Sequence, residues 1–224
     1  MAPPFKREAT TPEPCMSSET LTIMSPSGKE FVLLARPVAH LSKYFRTALN
    51  GGFQEAKNRV FYLVEHCNDE VLGVFANWTY LRSSGVVYNL DKVAFMSGLT
   101  QENKVKAWLF GDYIQAPVFQ NDMMQSMLMK GSGSLSDSIF RDLGPTIPNN
   151  SPLKRYFVDE FCFRLTQWPG QRPAMIGLLT ATLAKKVSEK LSRVISKHQN
   201  LKGSFYGNYN WEVGASEDYE VEEE

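Results

Sequence analysis

Apolar residues at helical spacing recur along most of this 224-residue chain, and they constrain its fold more than any other feature. In the C-terminal half, Leu153, Phe157, Phe161 and Leu165 recur every fourth residue, which places them on one helix face. After a break at Trp168-Pro169-Gly170, a second stripe contains Met175, Leu179, Leu183, Val187, Leu191 and Ile195. Two C-terminal helices are therefore predicted.

The N-terminal half combines short strand patterns with helical ones. Residues 21–24 and 30–34 flank the turn sequence Ser25-Pro26-Ser27-Gly28 and predict a β-hairpin, while 59–64 predicts a third strand. Pro37 predicts a helix start, with apolar spacing continuing to Leu49. Further helices are predicted after Asn68, around Trp108 and from Pro117. The expected fold class is α+β and mostly helical, a helical cluster capped by a small mixed β-sheet with additional C-terminal helices.

Charge and cysteine usage exclude several classes of protein. The 24 basic residues balance 24 acidic ones, so the chain as a whole has no attraction for nucleic acid, and a nucleic-acid partner is not expected. Three widely spaced cysteines do not suggest a disulfide framework. The first twenty residues lack the apolar run of a secretory signal, and no segment is long enough to predict a membrane span. We expect a soluble protein in the cytoplasm or nucleus, with no membrane partner.

Composition also divides the chain into segments. We expect a disordered N-terminal tail at 1–18, a principal domain at 19–130, a connector at 131–152 with a short helical piece, a helical extension at 153–200, and a disordered acidic tail at 201–224. The last eight residues contain six acidic ones, which is typical of a solvated end.

The segment from Phe31 to Tyr80 resembles BTB/POZ domains, especially the divergent set of filamentous fungi. Ser42-Lys43-Tyr44-Phe45 is similar to a Ser-x-Tyr-Phe element of the family, and Phe53-Gln54-Glu55 to its Phe-x-Glu. Trp78-Thr79-Tyr80 is similar to the Trp-x-Tyr that ends its central helix. The resemblance implies a BTB/POZ-like domain at 19–130, in which Ser42, Phe45, Phe53, Glu55, Trp78 and Tyr80 are signature positions with mainly structural roles.

Proteins of this family commonly self-associate or bind another protein, so the resemblance implies a homodimer or a protein partner. Exposed apolar residues near the first helix would form the interface, and we name Val38, Leu41 and Tyr44. Some members are substrate adaptors of cullin-type ubiquitin ligases, so a cullin scaffold is an alternative partner. Leu34 stands where the family often has His.

No residue constellation predicts catalysis, a metal site or a cofactor site. His66 and Cys67 are adjacent, but further ligands at suitable spacing are not evident, and surface or packing roles are the simpler interpretation. The aromatic and Met-rich stripes favour core packing over a ligand pocket. The basic residues from Lys185 to Lys197 favour a solvated helix face over lipid or nucleic-acid contact. An enzyme with an unrecognised site is a third hypothesis, and it requires a deep polar pocket with converging titratable groups.

Overall fold

The computed structural model describes residues 19–52, 54–63, 67–84, 96, 98–129, 135–167, 172–198, 219 and 221–222. The N-terminal tail predicted at 1–18 and the signature residue Phe53 lie outside these residues, as does His66. Within them the protein is mostly helical with one small mixed sheet, so the predicted fold class is confirmed.

Three strands form the sheet in the order β2-β1-β3. The predicted hairpin joins β1 (Thr20–Met24) to β2 (Glu30–Leu34) in antiparallel register. Strand β3 (Val60–Tyr62) pairs with β1 in parallel. Gly28 lies in the hairpin turn at φ +85°, a conformation that side-chain-bearing residues rarely adopt. The alternate residues that face the helices are buried, among them Ile23, Leu33 and Phe61.

The sequence pattern predicts one helix from Pro37 to Leu49, and this prediction is wrong because the chain breaks at Ser42. The structure has α1 (Ala35–Leu41) and α2 (Lys43–Asn50), with Ser42 extended between them at φ −136° and ψ 123°. The Ser42 hydroxyl accepts a hydrogen bond from the Phe45 N–H and donates one to the Ile114 carbonyl, 2.5 Å away. These bonds make Ser42 an N-cap and let the chain change direction without leaving buried polar groups unpaired.

The middle of the chain follows its predicted helix signals more closely. Helix α3 (Gln54–Asn58) precedes β3, and α4 (Asp69–Ser83) begins after Asn68, whose side chain accepts from the Val71 N–H at 2.8 Å. Helix α5 (Gln101–Tyr113) packs against α6 (Pro117–Leu128), which starts at Pro117 as predicted. A Cβ at Gly111 would lie 2.8 Å from Cγ of Gln120, so the absence of a side chain allows the two helices to approach closely.

The C-terminal part adds α7 (Asp137–Asp142), a 3-10 turn (Gly144–Thr146), α8 (Pro152–Gln167), α9 (Arg172–Ile176) and α10 (Ala181–His198). The second predicted stripe is thus divided between α9 and α10. The segment predicted as a connector is also packed, because Leu135, Phe140 and Ile147 are buried in the same apolar cluster as residues of the N-terminal half. Their burial makes 135–147 part of the core.

Candidate interaction surfaces

Three of the signature residues are buried and serve packing. The Phe45 ring meets Phe61 edge-on at 5.2 Å between centroids and stacks on Phe75 at 6.3 Å, and Trp78 continues the aromatic cluster. Ser42 is buried at the break between α1 and α2. Glu55 and Tyr80 are exposed, so the signature positions are not all part of the core. Buried aromatic contacts of this kind explain stability and leave no surface for a partner.

The interface predicted near the first helix requires a correction at Val38, whose side chain is 0% exposed. Val38 lies on the face of α1 that packs into the core, so it cannot contact a partner without unfolding. Leu41 and Tyr44 are half-buried, and the Tyr44 ring packs against Phe45, Phe61 and Tyr113. Their role in an interface stays a prediction.

A different apolar surface lies on the outer face of the sheet. Val32 and Tyr62 are 60% and 72% exposed, and Leu34 is also exposed. These residues alternate with the buried Leu33 and Phe61, because successive side chains of a strand point to opposite faces. We call Val32, Leu34, Val60 and Tyr62 the outer sheet face. The exposure of these residues could have been predicted from the two-residue period of the strands, because every second residue of a strand faces the same side.

Strand β3 forms one edge of this sheet. Its ladder to β1 includes the hydrogen bond from Thr22 N–H to the Arg59 carbonyl, 2.8 Å long. Because backbone groups alternate in direction along a strand, those of Arg59 and Phe61 face β1, and those of Val60 and Tyr62 face the opposite side. Among the described residues no strand pairs with that side. The β3 edge therefore presents backbone donors and acceptors beside the exposed ring of Tyr62.

A second surface of interest is a groove between α6 and α8 that holds part of the acidic tail. Tyr219 is buried, and its hydroxyl donates to Oδ2 of Asp159 at 2.7 Å. Its ring meets Tyr156 edge-on at 5.8 Å between centroids. Tyr219 and Val221, which belong to the tail predicted as disordered from 201 to 224, therefore pack against α6 and α8. Residues 201–218 lie outside the described part of the chain.

The side-chain amide of Asn121 holds the tail's backbone. Its Nδ2 donates to the Val221 carbonyl at 2.9 Å, and its Oδ1 accepts from the Val221 N–H at 2.6 Å. Asp159, below the Tyr219 hydroxyl, also forms an ion pair with Lys190 of α10. We call Asn121, Tyr156, Asp159 and Lys190 the tail groove. The sequence signal that could have indicated the tail groove is a tyrosine among acidic residues near the end of the chain.

The described residues contain no group of three or more His, Cys, Asp or Glu that could hold a metal ion. An open depression of about 390 Å³ is lined by Pro26, Ser27 and residues 67–70. Burial, with a smaller effect of Asp69, raises the pKa of the Cys67 thiol to about 12, which disfavours the nucleophilic thiolate.

Within the described ranges, no helix combines the length and apolar character that a membrane crossing requires. No protein-family model matches the chain, and no curated protein matches it significantly.

Proposed function

We propose that this chain is a protein-interaction module that self-associates by pairing β3 of one copy with β3 of a second copy. The observation that carries the proposal is the β3 edge, with which no strand of the described part of the chain pairs, next to the outer sheet face, where Tyr62 is 72% exposed. The resemblance to BTB/POZ domains, which commonly self-associate, supports the same class of function. The proposed function is non-catalytic.

The strand is complementary to itself about a two-fold axis. If two β3 strands pair antiparallel with Phe61 opposite its own copy, Val60 of one strand lies opposite Tyr62 of the other. The outward backbone groups of these two residues can then exchange hydrogen bonds on each side of the axis. An aromatic residue opposite a β-branched one is a favourable cross-strand pair.

Pairing in this register would also extend the apolar surface. The two three-stranded sheets would become one continuous sheet, with the outer sheet faces of both copies on the same side. Because β3 contributes only Val60–Tyr62, the contact is small, and a dissociation constant in the range of about 1–100 µM is expected. The dimer should therefore depend strongly on concentration.

Sedimentation velocity between about 5 and 200 µM tests the proposal, since this range spans the expected dissociation constant. The full chain should shift from 25.4 kDa toward twice that mass as its concentration rises. Tyr62→Lys should remain at the monomer mass, because a lysine on a strand edge opposes pairing. Tyr80→Lys is the matched control, since Tyr80 is 70% exposed on α4 and should leave the dimer intact.

Two results would contradict the proposal. One is a wild-type chain that stays at the monomer mass over the whole concentration range. The other is a dimer that Tyr62→Lys and Tyr80→Lys weaken equally, since the contact would then not involve β3. Circular dichroism of both variants establishes that each one is folded before its mass is interpreted.

A further inference from the structure

The tail groove has the features of a peptide-binding site. Two residues of the tail make the contacts described above. Tyr219 is held through its side chain, and Val221 is held through its backbone. Asn121 bonds to the backbone N–H and carbonyl of Val221 through both amide atoms, so this contact does not depend on the side chain at position 221. Tyr219 supplies the side chain that the groove selects.

Selection of tyrosine follows from the chemistry around its ring. The Tyr156 ring packs edge-on against Tyr219, which favours an aromatic side chain at this position. The Asp159 carboxylate accepts the tyrosine hydroxyl at 2.7 Å in a buried setting, where a phenylalanine would leave that oxygen without this donor. The groove therefore discriminates between two residues that differ by a single hydroxyl.

Helix α10 contributes a basic residue to the groove. Lys190 pairs with Asp159, and Lys185, Lys186 and Arg193 lie on the same helix together with Glu189. The sequence around Tyr219 and Val221 is acidic, with six acidic residues among the last eight of the chain. Complementary charge of this kind speeds encounter and selects among partners, even where its contribution to affinity is modest.

From these contacts we infer that the tail groove binds an acidic Tyr-x-Val segment of a partner protein, and that the chain's own tail is a built-in competitor for this site. The inference is independent of pairing through β3, which involves other residues. Because the tail is part of the chain, its effective concentration at the groove is commonly in the millimolar range. A partner segment therefore gains access when its own local concentration is high or when the tail is displaced.

Fluorescence polarisation with the full chain tests this inference. The probe is a fluorescein-labelled synthetic peptide with the sequence of residues 215–224, ASEDYEVEEE. The variant Tyr219→Ala weakens the resident tail, so it should bind the peptide at least about fivefold more tightly than the wild-type chain. Replacing the peptide's tyrosine with phenylalanine should weaken binding about tenfold, as expected for loss of a hydrogen bond to a charged group.

A second substitution assigns the peptide to the groove. In the Tyr219→Ala background, Asn121→Leu should reduce peptide binding at least about tenfold, since both bonds to the peptide backbone are lost. Asn77→Leu in the same background is the matched control, because Asn77 is exposed on α4 and should have no effect. Thermal unfolding of each variant separates loss of the site from loss of the fold.

The inference is overturned if wild type and Tyr219→Ala bind the peptide equally, or if Asn121→Leu and Asn77→Leu behave alike. A photo-crosslinking residue at position 219 provides the remaining test in a mixture of isotopically labelled and unlabelled chains. Crosslinks to α6 or α8 within one chain support the tail as an intramolecular competitor. Crosslinks between chains would instead identify a second copy as the occupant and contradict the inference of a separate partner.

Discussion

The indole Nε1 of Trp78 donates a hydrogen bond to Oδ2 of Asp122, 2.8 Å away, and so connects α4 to α6 through two buried side chains. The same carboxylate oxygen lies 3.4 Å from the guanidinium of Arg82. Burying a carboxylate costs free energy unless hydrogen-bond donors surround it. Trp78 therefore stabilises the Asp122 carboxylate through its N–H in addition to packing its ring in the core. The signature tryptophan thus orients two helices that both contribute to the core.

Trp78→Phe should lower the free energy of unfolding by about 3 kcal/mol, because it removes the donor to Asp122 and leaves a cavity. Urea denaturation measures the loss. Asp122→Ala, which removes the acceptor, and the double variant complete a thermodynamic cycle, and a coupling of about 1 kcal/mol or more is expected for groups in direct contact. Additive losses would show that the bond contributes nothing beyond packing.

Ser42→Ala should cost about 2 kcal/mol, since it removes both the cap of α2 and the bond to the Ile114 carbonyl. Ser136→Ala is the control, because the exposed Ser136 caps α7 through the Ile139 N–H and otherwise bonds to the hydroxyl of the neighbouring Ser138. It should cost about 1 kcal/mol or less. Equal losses in urea denaturation would contradict a separate contribution from the Ile114 bond.

Glu160→Gln should leave the protein equally stable or about 1 kcal/mol more stable at pH 7, because the side chain is buried and Oε1 has no hydrogen-bond partner among the described residues. Burial raises the pKa of Glu160, and this effect outweighs the opposing effects of Arg164 and of the Leu135 backbone. A raised folded-state pKa favours folding below the ordinary range of Glu, and this contribution is lost as pH rises through the folded-state pKa.

The advantage of Glu160→Gln should therefore shrink as pH falls from 7 toward 4. Urea midpoints measured at several pH values test this dependence. Glu102→Gln removes an exposed carboxylate that pairs with Lys106, so it should change stability by less than about 0.5 kcal/mol at any of these pH values. A variant that is clearly less stable than wild type at pH 7 would show that the charged form of Glu160 is favoured.

Cys67 and Cys162 should react with iodoacetamide more than about tenfold more slowly in the native chain at pH 7.5 than in urea. Desolvation raises the pKa of each thiol to about 12, so the thiolate is scarce at neutral pH. The Cys67 rate should rise with pH well beyond the ordinary range of cysteine. Mass spectrometry of the modified peptides follows each thiol, and a midpoint near pH 8.5 would contradict the prediction.

Local sequence signals accounted for much of the fold. The hairpin turn at Gly28, the cap at Asn68 and the helix start at Pro117 each follow from interactions within a few residues, so they can be read from the chain. The buried face of α4 is local in the same sense, because Val71, Leu72, Phe75 and Trp78 recur at helical spacing.

Contacts between residues far apart in the sequence determined the features that local sequence patterns did not predict. Ser42 interrupts an apparently continuous helix because it bonds to Ile114, seventy-two residues later. Val38 is buried because of the elements that cover α1, whereas its spacing alone was compatible with an exposed face. The acidic end contains an ordered Tyr219 because Asp159 and Tyr156, about sixty residues earlier, complete a pocket around it.

The sequence by itself therefore determined the element types and the mostly helical class, since hydrophobic period, caps and turns act over short distances. Only the tertiary structure decided which apolar residues remain exposed: it buries Val38 of α1, exposes the outer sheet face and covers Tyr219 in the tail groove. The physical reason is that exposure depends on what packs against a residue, and that neighbour is commonly far away along the chain.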